Sequence, residues 1–276
     1  IDGFIELNKN APLKFTKQIA TKNFGNTSPT NINHYIANGG YEGLRKALNE
    51  LDPEKTLNQV KNSGLRGRGG AAFSTGIKWS FLAGNDSKIK YILCNCEEGD
   101  PGAFNDKGIL ENDPHMLLEG LILAGYATGA SNGHIFIRDG HEIPIENSRK
   151  AIEQAYELNL LGENILGTGF SYDVEVSLTG DSYVAGEETA LMEAIEGKRS
   201  MPRFKPPFPA VSGFNGCPTS VNNVETLACL PFILSDGGVE AFKSFGPENN
   251  SGTHLVSLSG HVNHPGIYEL RMDASV

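Results

Sequence analysis

The chain has 276 residues, of which 39% are hydrophobic and 20% charged, with 33 glycines and a formal net charge of −10. This composition is typical of a folded protein, and the acidic charge argues against a chain that simply coats nucleic acid or anionic lipid. No apolar run approaches the roughly 18 residues that a membrane span needs. The first residues lack the basic and apolar regions of a signal peptide, so we expect no export.

The four cysteines are too few for a disulfide framework in a chain of this length. Cys94 and Cys96 are close enough in sequence to bind one metal ion, but thiolate sites usually use longer spacings. We therefore interpret Cys94, Cys96, Cys217 and Cys229 as structural residues and expect no metal site in this chain. The sequence predicts a reducing, cytoplasmic location.

Residues 1–39 are polar and lack sustained periodicity, which predicts an irregular arm packed on the rest of the chain. Beyond the arm, strands alternate with helices, which predicts a parallel sheet covered by helices. The predicted elements are helices over 41–51 and 53–62, a strand over 91–94, a helix from 114 to about 130, a strand over 134–137, a helix over 145–158, a strand over 172–178, and helices over 187–196 and 221–234.

The proline-rich run over residues 202–210 predicts an ordered loop, because proline is excluded from helix interiors. Short β-like runs over 255–258 and 266–270 predict the beginning of a second, small domain that the chain does not complete. The predicted organisation is therefore an N-terminal arm with helices over 1–60, a ligand-binding domain over 61–248 and the start of the second domain over 249–276.

The most informative motif is the glycine-rich stretch GLRGRGGAAFSTGIKW, from Gly64 to Trp79. Glycines at this density let the backbone approach a ligand, and backbone amides can bind phosphate oxygens. Residues 61–90 hold six cations and one acid, a net charge of +5 that would attract a phosphate-bearing ligand. The pattern Gly67-x-Gly69-x-x-Ala72 formally matches the dinucleotide fingerprint, but it follows a predicted helix rather than a strand. A flexible surface turn is the alternative interpretation.

An acidic cluster, CNCEEGDPG, extends from Cys94 to Gly102 at the end of the first predicted strand. Ligands of open α/β sheets bind beyond the carboxyl ends of strands, where these acids could contact hydroxyl or amide groups. Residues 91–120 hold seven acids and one lysine, a net charge of −6. The adjacent segments of opposite charge predict a site with a phosphate end and a sugar or amide end. A solvated acidic turn is the alternative.

Two further motifs open predicted helices. In YVAGEET, from Tyr183 to Thr189, two carboxylates occupy a first helical turn, where the helix dipole favours them even without a ligand. In PTSVNNVET, from Pro218 to Thr226, asparagine and threonine side chains offer donors and acceptors to a ring edge or a phosphate, but an N-cap would explain them equally well. The sequence contains no Gly-x-Ser-x-Gly or His-Glu-x-x-His motif, which disfavours hydrolases.

In this order, the segments GLRGRGGAAFSTGIKW, DPHMLLEG, GEETAL, KPPFPA and PTSVNNVETLA resemble the FMN- and NADH-binding subunit (51-kDa or F-type) of respiratory complex I. Flavin subunits of NAD-linked hydrogenases and formate dehydrogenases share them. The resemblance implies an α/β fold, a Rossmann-like parallel sheet with helices on both faces, as an FMN/NADH-binding domain over 61–248. It also implies the start of a small β-grasp domain of the soluble-ligand-binding type over 249–276, and a C-terminal 4Fe-4S domain that is absent here.

The resemblance implies an NADH dehydrogenase flavin subunit, in which hydride passes from NADH to FMN for onward single-electron transfer to the iron-sulfur clusters of an NADH:quinone oxidoreductase. A non-catalytic nucleotide-binding scaffold and the flavin subunit of an NAD(P)-linked hydrogenase or formate dehydrogenase are the alternatives. The implied partners are a thioredoxin-like 2Fe-2S subunit (24-kDa or E-type) and other iron-sulfur subunits, without nucleic acid or direct membrane insertion. The implied location is cytoplasmic, either free or held at the inner face of the cell membrane by partner subunits.

The resemblance implies no catalytic side chain, with Lys78 and Glu97 tuning the flavin. It places around FMN the residues Gly67, Arg68, Gly69, Lys78, Asn95, Glu97, Gly186, Glu187, Asn222, Asn223 and Thr226. It places around NADH the residues Gly70, Phe73, Lys78, Phe81, Asp100, Tyr183, Glu188 and Phe208, with the three phenylalanines lining the adenine. Glu188 and Asp100 would repel a 2′-phosphate, so we expect NADH to be preferred over NADPH.

The sequence departs from the family pattern at three places. It has Glu97 where the family usually has aspartate, Asp100 where glutamate is common, and Ala185 where cysteine is common. Each acidic exchange moves a carboxylate by about one methylene, so we expect contacts to be retuned rather than lost. The cysteine-rich motif that binds the family's 4Fe-4S cluster is absent from the sequence, and no cluster is assigned to the four cysteines.

Overall fold

The structure is a computed structural model that describes residues 17–180 and 182–274. Its helices are α1 (Ile32–Ala37), α2 (Glu42–Glu50), α3 (Pro53–Ser63), α4 (Thr75–Ala83), α5 (Asn105–Asn112), α6 (Pro114–Thr128), α7 (Glu142–Glu157), α8 (Glu188–Ile195), α9 (Val224–Ala228), α10 (Leu230–Ile233) and α11 (Gly238–Lys243). Its strands are β1 (Tyr91–Cys96), β2 (Asn132–Arg138), β3 (Asp173–Thr179), β4 (Thr219–Asn223), β5 (Thr253–Leu258) and β6 (Gly266–Arg271).

Strands β1 to β4 form a parallel sheet in the order β3-β2-β1-β4, which confirms the predicted α/β class. Strand β1 is central, and its Asn95 is aligned with Phe136 of β2 and Asn223 of β4. The chain moves to one side of β1 for β2 and β3 and to the other side for β4. The carboxyl ends of the two strands at such a reversal, here β1 and β4, are the usual ligand position in open parallel sheets, and we call this edge the crevice.

The alternation of side chains along β1 explains why helices cover both faces of the sheet. Ile92, Cys94 and Cys96 belong to the larger apolar core, which includes residues of α4, α6, α7 and α9. Leu93 belongs to a smaller core with Leu191 of α8 and residues of β2 and β4. Successive residues of a strand point to opposite faces, so both faces of β1 require a cover.

The predicted starts of the two helices, at residues 53 and 114, are confirmed, and an N-cap residue explains each start. Asp52 accepts a hydrogen bond from the Lys55 backbone N–H at 2.7 Å, and Asp113 accepts one from the Met116 N–H at 3.2 Å. A proline follows each cap, where its fixed φ suits the first turn and its missing N–H costs no helical hydrogen bond. Helix α3 ends at Gly64, which adopts a φ of 72°.

The predicted helix over 221–234 is wrong at its start. Val221, Asn222 and Asn223 lie in β4, where they pair with Leu93, Cys94 and Asn95 of β1. A segment of three residues is too short for a helix period or a strand period to be recognised, so the sequence pattern alone could not separate the two. The helical part begins at Val224 and is divided into α9 and α10 around Cys229, with a proline in the first turn of α10.

The predicted N-terminal arm extends beyond the described residues, because its first 16 residues lie outside them. The described part contains turns and α1. Residues 19–21 are held by Glu269 of β6, whose buried carboxylate accepts hydrogen bonds from the N–H groups of Ile19, Ala20 and Thr21 at 2.9, 3.1 and 3.0 Å. A further bond comes from Thr253 Oγ1 at 2.6 Å. One carboxylate thus joins the arm to the hairpin.

Strands β5 and β6 form an antiparallel hairpin, as the β-like runs predict. The assignment of residues 249–276 to the start of a β-grasp domain stays a prediction. Among the described residues, no helix is long and apolar enough to cross a membrane.

A buried polar network joins α6 to the N-terminal helices. Glu119 accepts hydrogen bonds from Tyr35 Oη at 2.6 Å and from the N–H groups of Tyr41 and Leu44 at 2.8 and 3.0 Å. His115 lies 3.0 Å from Tyr41 Oη through Nδ1 and 3.1 Å from Gln154 Oε1 through Nε2. The Gln154 oxygen only accepts, so the network assigns the proton of a neutral imidazole to Nε2.

The buried His115 predicts a contribution to stability that depends on pH. Burial lowers the pKa of His115 to about 4, whereas the unfolded chain has an ordinary histidine pKa of about 6.5. Between these values the unfolded state binds the proton and the folded state does not, so His115 removes stability as the pH falls through this window. We expect His115→Gln to abolish this contribution, which reaches about 3 kcal/mol at the acid end.

Urea unfolding of wild type and His115→Gln at several pH values between 7 and 4 measures this difference. His34→Gln, which replaces an exposed histidine of α1, is the matched control. Parallel stability curves for wild type and His115→Gln would contradict the prediction.

Candidate functional site

The glycine-rich loop, residues 64–74, lies against the amino end of α9. The loop closes on itself through the Gly67 N–H, which donates to the Phe73 carbonyl at 2.9 Å. The Arg68 N–H donates to Thr226 Oγ1 at 2.8 Å. A Cβ added to Gly69 would lie 2.9 Å from the Cβ of Asn223. Only glycine permits this approach, so the backbone of the loop packs directly against the carboxyl end of β4.

Gly70 adopts a φ of 134°, a conformation that other residues rarely take, and a Cβ there would meet open space. Gly69, Gly70 and Ala71 are exposed. The loop leads directly into α4. The N-cap residue of this helix, Ser74, makes no side-chain capping bond to the N–H groups of the first turn. Exposed amides followed by an open helix start are features that bind phosphate groups in proteins.

The Arg68 side chain turns away from the exposed part of the loop. It is only 3% exposed, and Nη2 donates to the Ser251 carbonyl at 2.8 Å. Its Nε lies 3.9 Å from Glu225 Oε1. The family resemblance places Arg68 around FMN, whereas the structure engages its guanidinium inside the protein.

Lys78 reaches from α4 into the crevice. Its Nζ donates to the Val221 carbonyl at 2.6 Å and lies 3.7 Å from Glu188 Oε2 at the start of α8. Burial lowers the pKa of Lys78, and the Glu188 carboxylate opposes that shift. The side chain is 34% exposed, so part of it is accessible to solvent. Lys78 thus joins α4, β4 and α8.

Asn95 and Glu97 form the end of β1 and the turn after it. Asn95 Nδ2 donates to the Gly186 carbonyl at 2.9 Å, and Asn95 Oδ1 accepts from the Glu97 N–H at 3.1 Å. The Glu97 carboxylate is 2% exposed and lies 3.2 Å from Nε of Arg138. A Cβ on Gly186 would lie 3.1 Å from Glu97 Oε2, so this carboxylate is packed directly against the turn that precedes α8.

Sequence reasoning missed Arg138, which ends β2 beside β1. The signal was available, because Arg138 immediately follows the predicted strand 134–137 and the same strand-end rule applies to it. Since burying a carboxylate without a partner is costly, Arg138 explains how Glu97 can lie inside the protein.

The start of α8 carries two glutamates with different partners. Glu187 is the N-cap and accepts from the N–H groups of Thr189 and Ala190 at 2.8 and 3.0 Å. Burial works against its charge, but these bonds and Lys205 lower the pKa of Glu187. Glu188 forms ion pairs with Lys78 and Lys205. The capping interpretation therefore holds for Glu187, whereas Glu188 belongs to a charge network of the crevice.

Sequence reasoning also missed Lys205, although this residue lies in the KPPFPA segment, one of the segments that carry the family resemblance. Residues 202–210 form the loop that was predicted from their prolines. Lys205 brings this loop to α8 through Glu188 and, at 3.5 Å, Glu187.

The two asparagines at the end of β4 have separate roles. Asn222 is buried and accepts from Trp79 Nε1 at 2.9 Å, so its side chain joins β4 to α4. Asn223 caps α9 by accepting from the Thr226 N–H at 3.2 Å, and its Nδ2 donates to Asp106 Oδ2 at 2.6 Å. Burial, together with Glu98 and Glu225, raises the pKa of Asp106. Nothing in the sequence pattern pointed to Asp106.

The residues expected at NADH are mostly exposed. The rings of Phe73, Phe81, Phe208 and Tyr183 are 52%, 59%, 60% and 67% exposed. Asp100 is also exposed, in the turn that follows the acidic cluster. Exposed aromatic rings are available to stack on a planar ligand.

The cysteines are all free thiols. Cys94, Cys96 and Cys229 are buried, and burial raises the pKa of the first two thiols well above the usual range. Cys217 is partly exposed. Among the described residues, no group of three histidine, cysteine, aspartate or glutamate side chains is placed to hold a metal ion.

The crevice therefore combines a glycine-rich loop, a lysine, a strand-end amide and two helix starts, an arrangement typical of nucleotide-binding α/β domains. The family model described as the Nuo51 FMN-binding domain matches residues 60–231. The chain belongs to this family.

Curated relatives agree with that family. The chain is 48% identical over 245 residues to the NADH-quinone oxidoreductase F-type subunit 2 of Rhizobium meliloti, covering 89% of this chain and 58% of the relative. It is 47% identical over 243 residues to the NADH-quinone oxidoreductase F-type subunit of Escherichia coli, covering 88% and 54%. It is 46% identical over 259 residues to NADP-reducing hydrogenase subunit HndC of Solidesulfovibrio fructosivorans, covering 94% and 52%. The chain thus spans little more than half the length of these relatives.

A solved structure supports the fold. The crystal structure of an NAD⁺-reducing [NiFe]-hydrogenase in the air-oxidized state matches with a TM-score of 0.76 and 32% sequence identity. The match covers 92% of this chain and 41% of the other.

The bond between Trp79 and Asn222 predicts a coupled loss of stability. Asn222→Ala leaves the buried Trp79 N–H without its partner, so we expect a loss of about 2 kcal/mol of unfolding free energy. In Trp79→Phe/Asn222→Ala, the donor is also gone, and the loss should be smaller than the sum of the two single losses. Urea unfolding of the four proteins measures the coupling.

Tyr156→Phe combined with Asn222→Ala is the control, because Tyr156 bonds to Asp173 in another part of the fold. Its two effects should add. Additive losses for Trp79 and Asn222 as well would show that the bond contributes no coupling.

Proposed function

We propose that this chain binds FMN and NADH and transfers hydride from NADH to FMN, as the flavin subunit of an NADH-oxidising complex of the NADH:quinone oxidoreductase type. The observation that carries the proposal is the convergence of the glycine-rich loop with the starts of α8 and α9 at the carboxyl ends of β1 and β4. The family match and the two NADH-quinone oxidoreductase relatives support it.

The residues of the crevice fit a flavin mononucleotide. The backbone of the exposed Gly69 and Gly70 suits its phosphate, and the space on the Cβ side of Gly70 is open. The amide groups of Asn95 and Asn223 and the hydroxyl of Thr226 suit a ribityl chain and a ring edge, which need both donors and acceptors. Gly67 lies in the same glycine-rich loop, and Gly186 and Glu187 lie in the turn that starts α8. Arg68 contributes through its position in the loop rather than through its guanidinium.

FMN, when bound, supplies the hydride acceptor, so no nucleophilic side chain is required. The role proposed for the chain's own residues is to bind FMN and NADH and to orient them. Lys78, held by the Val221 carbonyl, places a positive charge in the crevice. Glu97, held by Arg138, places a buried carboxylate beside Gly186. We therefore propose that these two residues tune the electrostatic environment of the flavin rather than take part in bond making.

The exposed rings of Phe73, Phe81 and Phe208 suit the planar adenine of NADH, because aromatic faces stack on nucleobases. Gly70, Lys78, Asp100, Tyr183 and Glu188 complete the proposed NADH-binding set. We propose iron-sulfur partner subunits, among them a thioredoxin-like 2Fe-2S subunit, as the acceptors of single electrons. We also propose a cytoplasmic location, with attachment to the membrane only through such partners.

The visible spectrum of the purified chain tests the proposal. Recorded anaerobically, it should show a flavin band at roughly 450 nm, or gain one on addition of FMN, and the band should bleach when NADH is added. A chain that never binds FMN would contradict the proposal and favour the scaffold alternative.

Gly69→Ala sharpens this test. A methyl group 2.9 Å from Asn223 Cβ must displace the loop, so we expect FMN to bind at least about tenfold more weakly. Gly102→Ala is the matched control, because a Cβ there meets open space. Titration of flavin fluorescence measures both affinities, and equal affinities would remove the loop from the proposed FMN site.

The flavin subunit of an NAD(P)-linked hydrogenase is the second candidate, because HndC matches 94% of this chain. The ratio of activity with NADH to activity with NADPH shows which dinucleotide the chain prefers. Glu188 is paired with Lys78 and Lys205 but retains 30% exposure, so its charge still faces the crevice. We expect wild type to prefer NADH, and Glu188→Gln to reduce the NADH:NADPH ratio of kcat/KM by about tenfold.

A dye-reduction assay with each dinucleotide measures these ratios. Glu240→Gln on α11, whose partner is Lys243, is the control. Equal turnover of wild type with NADPH would contradict the preference.

A further inference from the structure

Arg68 joins the glycine-rich loop to two other segments. Its backbone N–H donates to Thr226 Oγ1 in α9 at 2.8 Å, and its Nη2 donates to the Ser251 carbonyl before β5 at 2.8 Å. The side chain is 3% exposed. An arginine that binds a ligand's phosphate needs a free guanidinium at the ligand, whereas this one is enclosed by protein.

Glu225 is the acidic partner of this arrangement. Its side chain is 2% exposed, and Oε1 accepts from the Leu255 N–H at 2.9 Å and lies 3.1 Å from His254 Nδ1. The same oxygen lies 3.9 Å from Arg68 Nε. One carboxylate of α9 therefore contacts both the glycine-rich loop and β5.

The surroundings of Glu225 are acidic. Glu98 is buried, and burial, together with Glu98 and Glu225, raises the pKa of Asp106. The Arg68 guanidinium, 3.9 Å from Glu225, places a positive charge beside this carboxylate. Removing either side chain breaks the ion pair between the glycine-rich loop and the α9 carboxylate, while the remaining one keeps its hydrogen-bond partners near β5.

We propose that Arg68 and Glu225 are positioning residues that hold the glycine-rich loop against α9 in the conformation that binds the flavin phosphate. The proposal rests on the proposed function and deepens it. It removes Arg68 from the phosphate ligands, adds Glu225, which sequence reasoning did not single out, and makes the geometry of the loop depend on the segment from Ser251 to Leu255. The contact of Gly69 with Asn223 is so close that a small displacement of α9 alters the surface of the loop.

The two roles of Arg68 predict opposite effects for Glu225→Gln. If the guanidinium binds phosphate, removing a nearby negative charge leaves FMN affinity unchanged or increases it. If the pair positions the loop, Glu225→Gln weakens FMN binding. We expect about a tenfold loss for Glu225→Gln, a similar loss for Arg68→Met, and a loss for the double variant well below the product of the two.

Flavin fluorescence titration measures these affinities, and the visible circular dichroism of bound FMN reports whether the flavin environment has changed. Arg149→Met and Glu240→Gln are the charge-matched controls, because both residues are exposed on α7 and α11. Both controls should bind FMN as wild type does. Far-UV circular dichroism without FMN confirms that each variant is folded.

Arg68→Lys provides the second measurement if the larger changes unfold the protein. A lysine binds phosphate as a point charge but lacks the planar fork that reaches Ser251 and Glu225 together. Positioning predicts weaker FMN binding for Arg68→Lys, and direct phosphate binding predicts an affinity close to that of wild type. Wild-type or tighter binding by Glu225→Gln or Arg68→Lys would overturn the inference, whereas a wild-type chain that binds no FMN would overturn the proposed function itself.

Discussion

The structure depends on the parallel pairing of β1 with β2 on one side and β4 on the other. Because all four strands point the same way, their carboxyl ends lie at one edge, and the segments that follow β1 and β4 begin there together. Each parallel strand requires a crossover before the next, and the crossovers supply the helices on both faces. The glycine-rich loop is not part of this pattern, since it follows α3. It reaches the same edge through its contacts with Asn223 and Thr226.

Buried carboxylates then connect segments that are distant in sequence. Glu119 connects α6 to Tyr35 and Tyr41, Glu269 connects β6 to the N-terminal arm, and Glu225 connects α9 to β5. Each accepts hydrogen bonds from backbone N–H groups, which offsets the cost of removing a charge or a polar group from water. The hairpin β5–β6 is therefore joined at two places, the arm through Glu269 and the crevice through Glu225.

Much of the fold could be predicted from local patterns. The caps Asp52 and Asp113 each precede a proline, which defines a helix start within a residue or two. The strand assigned to residues 134–137 followed from a buried apolar run between turn residues. The pattern failed at residues 221–223, because three residues are too few to show a period that distinguishes a strand from a helix. Pairing with Leu93 to Asn95 decided that segment, and pairing is a property of the assembled sheet.

The sequence by itself determined the fold class and the family, because these depend on residue order and local spacing. Only the tertiary structure decided what the charged side chains do. It directed the Arg68 guanidinium to Ser251 and Glu225, and it paired Glu97 with Arg138. It also brought Lys205 to Glu188. The reason is physical: a charge is stable inside a protein only beside a partner, and that partner can come from any distance along the chain.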